Sequence, residues 1–166
     1  MKLYIAYGSN LHKQQMEKRC PDAVPHAVGT LNGWELVYRG VNPNRIYATL
    51  QQKEGASTPV VLWEITPKDE TNLDEYEDYP TLYYKQDIPV TLTDGTTILA
   101  MVYLMTDQAT PGRPSAPIFR RSGKDTKTLI WICPFLKHLS STDAVRIAIK
   151  GKERSHWNYL TPTVVP

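Results

Sequence analysis

With 166 residues, 19 lysines and arginines against 17 aspartates and glutamates, and a net charge of +2, the chain has the size of one domain with a sizeable core. It lacks the basic excess that marks a nucleic-acid binder. Two cysteines, Cys20 and Cys133, make no disulfide framework, no C-x-x-C or His/Cys cluster suits a metal, and no run could span a bilayer or serve as a leader, so a cytoplasmic protein without metal or membrane partners is expected.

Lys2–Tyr7 reads as a buried strand that breaks at Gly8-Ser9-Asn10 and gives way to a helix over His12–Arg19, ended by Cys20-Pro21. A strand that turns through glycine into a helix leaves several N–H groups unpaired and pointing the same way, at the positive end of the helix dipole. Such a turn suits a carboxylate or a developing oxyanion. It equally suits a plain joint with Ser9 or Asn10 as N-cap.

His26–Leu31 and Trp34–Arg39 read as strands joined through Asn32-Gly33, a tight-turn signal. Tyr47–Gln52 and Val60–Ile65 are two more, separated by a loop over Lys53–Pro59. Thr66-Pro67-Lys68-Asp69 starts a second helix, with a hydroxyl cap, proline at the first position and an acid in the first turn. Pro80 disfavours helix at the residue before it, so this helix ends near Tyr76 or Glu77. Glu77 then sits at the negative end of the dipole beside Asp74, Glu75 and Asp78, and both effects push its pKa towards the range of a working base. The alternative is an acidic, solvated helix end. Tyr83–Leu92 and Thr97–Met105 form a last hairpin across Thr93-Asp94-Gly95.

About six strands and two short flanking helices predict an α+β domain whose sheet curls into a small mixed barrel. The tyrosines and tryptophans among them, interleaved with Arg39 and Arg45, have the composition of a base-stacking surface. Their alternation on strands instead assigns most of them to the core or to cavity walls.

Two segments carry a family resemblance: Tyr7-Gly8-Ser9-Asn10-Leu11 after the first strand, and Leu73-Asp74 with Glu77, Tyr79, Pro80 and Tyr83. Together they resemble the gamma-glutamylcyclotransferases and gamma-glutamylamine cyclotransferases over about residues 1–106. The family commonly has glycine after the glutamate, and Asp78 departs from that, which bears on the local turn and on the glutamate's pKa. The resemblance implies a barrel with an active cavity at one end. It implies attack of a donor's α-amine on its own γ-carbonyl, releasing 5-oxoproline and a free amine or amino acid. Glu77 would carry the protons, the turn Tyr7, Gly8, Ser9, Asn10 and Leu11 would hold the donor's polar head, and Tyr83 would line the cavity. No cofactor is implied, and the partner is a small-molecule gamma-glutamyl compound. Two rivals stand beside it: a non-catalytic binding module on the same barrel, and a hydrolase using Ser9 with His12 or His26 as base.

Residues 107–117, with Pro111, Pro114 and Pro117, read as a linker. The tail over 118–166 is atypical: 9 of the 19 basic residues lie in Arg120–Arg154. The resembling family would place an acidic amphipathic helix here, with a segment like GYxDF. A frame in which each codon takes the last base of one codon and the first two of the next allows Gly123–His138 to spell KGYEDFDLDMSVFEA. A frameshifted tail beginning near Pro117 is therefore expected to add little to the core.

Overall fold

The computed structural model describes residues 1–42 and 45–113. The expectations for 118–166, the frame break included, lie outside the described residues. Six strands, β1 (Lys2–Ala6), β2 (Val24–Gly40), β3 (Ile46–Ile65), β4 (Tyr83–Leu92), β5 (Thr97–Met105) and β6 (Thr110–Pro111), alternate with a 3₁₀ turn (Ser9–Leu11) and two helices, α1 (Lys13–Arg19) and α2 (Pro67–Tyr76). The strand order is β3-β1-β5-β4-β2-β6, and a further β2–β3 pairing closes the first five into a barrel. The β1–β5 pair is parallel and the others are antiparallel. The mixed α+β barrel read from the sequence is thus the fold.

Closure depends on Gly29, which faces Leu92 across the β2–β4 seam. A Cβ there would lie 2.5 Å from a Val90 methyl and 2.9 Å from the Thr91 carbonyl, so the strands approach this closely only over glycine.

The four short strands expected between His26 and Ile65 are two long ones. β2 and β3 form one hairpin from Val24↔Glu64 to Gly40↔Ile46. Asn32-Gly33 does not reverse the chain. Gly33 has φ +80, as a tight turn would require, but it spends that conformation on an irregularity: between the pairs Asn32↔Ser57 and Trp34↔Gln52 it faces residues 53–56, where Gly55 also has φ +73. The expected loop over Lys53–Pro59 is a bulged stretch of β3. A left-handed glycine serves a bulge as readily as a turn.

Strand alternation divides the apolar residues between two clusters. Ile5, Leu31, Leu62, Ile88 and Val102, one from each barrel strand, fill the interior. Their neighbours Tyr4, Trp63, Met101 and Tyr103 face outwards and are covered by Met16 of α1 and Leu73 of α2. Both helices therefore lie against the outside of the barrel, where β1 emerges. The start of the expected linker is held to the sheet: Ala109 is buried, and Arg39 pairs with Pro111. Among the described residues, no helix is long and apolar enough to cross a membrane.

Candidate active site

Helix α2 is fixed at both ends by its own sequence. Thr66 and Asp69 make a capping box, with the Thr66 N–H donating to Asp69 Oδ2 at 3.0 Å and the Asp69 N–H to Thr66 Oγ at 3.2 Å. At the other end Glu77 is the C-cap, and the N–H groups of Asp78 and Tyr79 return to the Glu75 and Asp74 carbonyls at 3.3 and 2.9 Å. This is a Schellman ending, which asks for a left-handed residue after the cap. Asp78 occupies it at φ +55, where glycine would sit without strain. Asp78→Gly is accordingly expected to stabilise the fold by about 0.5 kcal/mol, a rise of about 2 °C in Tm. The exposed Arg45–Asp78 pair lost with it is 4.0 Å apart and contributes little. A melting curve in which the variant falls below the parent would reject this account of the turn.

The turn after β1 reaches Glu77. Asn10, 3% exposed, donates from Nδ2 to Glu77 Oε1 at 3.2 Å and to the Tyr4 hydroxyl at 2.8 Å. Neither Ser9 nor Asn10 caps α1; His12 is that cap and makes no side-chain bond. Ser9 Oγ lies 3.2 Å from the Tyr76 hydroxyl and accepts from Arg19 Nη1 at 3.1 Å. A cavity of about 290 Å³ opens between these elements, lined by Gly8, Ser9, Asn10 and Glu77 together with Tyr7, Tyr83 and Ala48. The N–H groups of Ser9 and Asn10 have no backbone partner among the described residues. Of the residues expected at a ligand, Leu11 alone stands apart: it is buried in the cluster beside Met16.

Burial pushes the Glu77 carboxyl up to about 7, against the opposing pull of the Arg19 charge and the Asn10 hydrogen bond. The upward direction matches the sequence expectation, but the expected cause is corrected. The rise is not owed to the expected neighbours Asp74, Glu75 and Asp78; Asp74 accepts from Lys85 Nζ at 2.9 Å and from the Tyr103 hydroxyl at 2.6 Å. Enclosure by protein is what raises the carboxyl. The phenols of Tyr4, Tyr7, Tyr83 and Tyr103 are likewise pushed up by burial and stay neutral. Tyr7 donates to the Tyr103 carbonyl at 2.6 Å and Tyr83 to the Ala48 carbonyl at 2.8 Å. With its proton on the Ala48 carbonyl, the Tyr83 oxygen is left chiefly as an acceptor, whereas the Tyr7 oxygen also meets the Thr49 side chain.

Sequence reasoning missed Arg19, Tyr76 and Tyr4. Arg19 ends α1, where a cation reads as ordinary complement to the helix dipole. Only the fold-back of α1 onto the turn brings it to Ser9. The hydrolase constellation is not assembled: Ser9 contacts Arg19 and Tyr76, and His26 is engaged by Glu64 at 2.7 Å.

Comparison with known proteins gives the same direction. A family model described as gamma-glutamyl cyclotransferase, AIG2-like, matches residues 4–121. The gamma-glutamylcyclotransferase of Mus musculus is 30% identical over 126 residues, covering 72% of this chain and 66% of that protein. That of Homo sapiens is 28% identical with the same coverage. The chain thus spans just under two thirds of the length of these relatives. A solved gamma-glutamyl cyclotransferase structure superposes with a TM-score of 0.70 at 22% identity, over 99% of this chain and 93% of the other, a likeness of fold. With more than half of its residues matched by the family model, the chain belongs to the gamma-glutamyl cyclotransferase, AIG2-like family.

Proposed function

We propose that this protein converts a γ-glutamyl compound into 5-oxoproline and a free amine or amino acid. The observation that carries this reading is the contact of the Gly8-Ser9-Asn10 turn with the partly buried carboxylate of Glu77 across one cavity. The donor's own α-amine attacks its γ-carbonyl. A C–N bond closes the five-membered ring, and the bond to the departing nitrogen breaks. Because the nucleophile is tethered, the enzyme's part is orientation and proton transfer. Glu77, ionised near neutral pH, takes the proton that the attacking amine loses and returns it to the departing nitrogen. Asn10 occupies only Oε1 of the carboxylate, so Oε2 serves the amine. The acceptor oxygen of Tyr83 suits the same amine, while the N–H groups of Ser9 and Asn10 suit the carboxylate or the oxyanion of the tetrahedral stage.

Incubating the full chain with a panel of γ-glutamyl amino acids, peptides and amines and assaying 5-oxoproline tests the reaction directly. Release from at least one compound is expected. Binding of 5-oxoproline with no turnover across the panel would leave a binding module instead. Gly8 offers a second test. A Cβ there would meet only the Ala48 Cβ, at 3.7 Å, so the fold has room for a first side-chain atom while the cavity loses space. Gly8→Val is expected to melt cooperatively and to lose 5-oxoproline binding. Parent-like binding would remove the turn from the site.

The reading extends to cell location and to the tail. A cytoplasmic setting suits the free thiol of Cys20. The family match ends at residue 121, close behind Pro117, which supports a frame break there; sequencing the gene through the codons for residues 111–150 checks it.

A further inference from the structure

Arg19 takes no place in the reaction as written, yet its side chain holds much of the site together. Its guanidinium carbon lies 3.6 Å from the centroid of the Tyr76 ring, the residue immediately before Glu77. Nη1 donates to Ser9 Oγ at 3.1 Å and to Asn10 Oδ1. Nη2 donates to Gln15 Oε1 at 2.9 Å, which aims the side chain from its own helix. The Arg19 carbonyl accepts from Asn72 Nδ2 of α2 at 2.9 Å. The one residue therefore ties α1, the 3₁₀ turn and the end of α2.

The consequence lies in the Asn10 amide. Guanidinium only donates, so whatever faces it must accept. That assigns Oδ1 to Arg19 and turns Nδ2, with its two hydrogens, towards Tyr4 and Glu77. We propose that Arg19 is a positioning residue of this site: by clamping the Asn10 carbonyl and stacking on Tyr76, it keeps the amide donor side on Glu77. Released from the clamp, the amide is free to turn its oxygen to the carboxyl, which then holds a proton that it must give up to act as a base.

The inference rests on Glu77 being the proton carrier, and the surroundings of Glu77 agree with it. Tyr4 and Tyr7 face it from β1 and the residue after it, Tyr83 from β4, Cys20 from the end of α1, and Tyr76 and Asp78 flank it. The influences that oppose the effect of burial on its carboxyl are Arg19 and Asn10, the two partners in the clamp.

The test is a carbon-13 titration of the glutamate carboxyls in the full chain, without substrate, the Glu77 resonance being identified by its loss in Glu77→Gln. Arg19→Gln is expected to raise the Glu77 midpoint by about one pH unit. Arg19→Lys keeps the charge but not the fork or the flat stacking face, so its midpoint should fall between parent and Arg19→Gln. Tyr76 is 47% exposed, and Tyr76→Leu, which removes the stacking plate without emptying the core, should raise the midpoint by a few tenths. Should Arg19→Gln fail to fold, the lysine and Tyr76 variants decide. An unchanged midpoint in Arg19→Gln and Tyr76→Leu overturns the clamp, and so does a lysine variant that titrates like the parent. Because the readout needs no turnover, a shifted midpoint in a protein that converts no γ-glutamyl compound would sustain the clamp and remove the reaction.

Discussion

Replacing Glu77 by glutamine is expected to lower turnover of any γ-glutamyl compound the protein converts by about 10²–10⁴, the usual contribution of a general acid–base group. The change is nearly isosteric. Glutamine's Oε1 still accepts from Asn10 Nδ2, so the turn keeps its place and substrate binding should survive. What disappears is the ability to hold the amine's proton between attack and departure. The parent's kcat/KM should rise about tenfold per pH unit below about 7 and level off above it, as a carboxyl raised to about 7 loses its proton. Near-parental turnover by the variant, or a flat profile between pH 5 and 7 in the parent, would take Glu77 out of the mechanism.

The same substitution should make the protein more stable at high pH. Glu77 moves from 4.5 in the ordinary carboxyl to about 7 in the fold, so the folded state holds its proton more tightly than the unfolded chain. A carboxyl raised in this way supports folding fully below pH 4.5, and that support is lost as pH rises to 7. Holding it ionised at pH 8 costs about 3 kcal/mol. Glutamine carries no such cost. Urea midpoints for the two proteins should converge near pH 4.5 and separate progressively above it, with the variant the more stable. Lines that stay parallel across this range would mean that Glu77 titrates as an ordinary surface acid. Loss of activity together with gain of stability is a pairing that a merely misfolded variant cannot produce.

How far the sequence discloses these features depends on how local their causes are. Helix α2 was legible from end to end because its hydroxyl cap, its proline and its acid fall within four residues. The β4–β5 hairpin was legible because Gly95, at φ +88, sits in a short polar gap between two apolar runs. β2 and β3 were not, since a glycine that needs positive φ looks the same in a turn and in a bulge; only the pairing across the hairpin distinguishes them. Glu77 was legible as a candidate through its motif, but the reason for its raised pKa was not. Enclosure is a property of the assembled barrel, and no neighbour in sequence reports it. Arg19 was hidden for the same reason, its partners Ser9, Asn10 and Tyr76 being set by the packing of two helices.

The parallel pairing of β1 with β5 has a consequence for the order in which the chain can assemble. Of the five barrel strands β1 is made first, yet one of its two neighbours, β5 (Thr97–Met105), is made last. The β2–β3 hairpin is local and can form early, and β1 can add to β3 once Val61–Ile65 has emerged. Until β5 arrives, the other edge of β1 remains open, with apolar residues beside it, a template for pairing with another nascent chain. The barrel's topology thus places its most exposed interval during synthesis. It also makes the finished cavity a late product, because Tyr7 and Tyr83 are brought together only when β4 and β5 close against β1. Crowded overexpression should penalise this fold at that stage more than any weakness of the finished barrel would suggest.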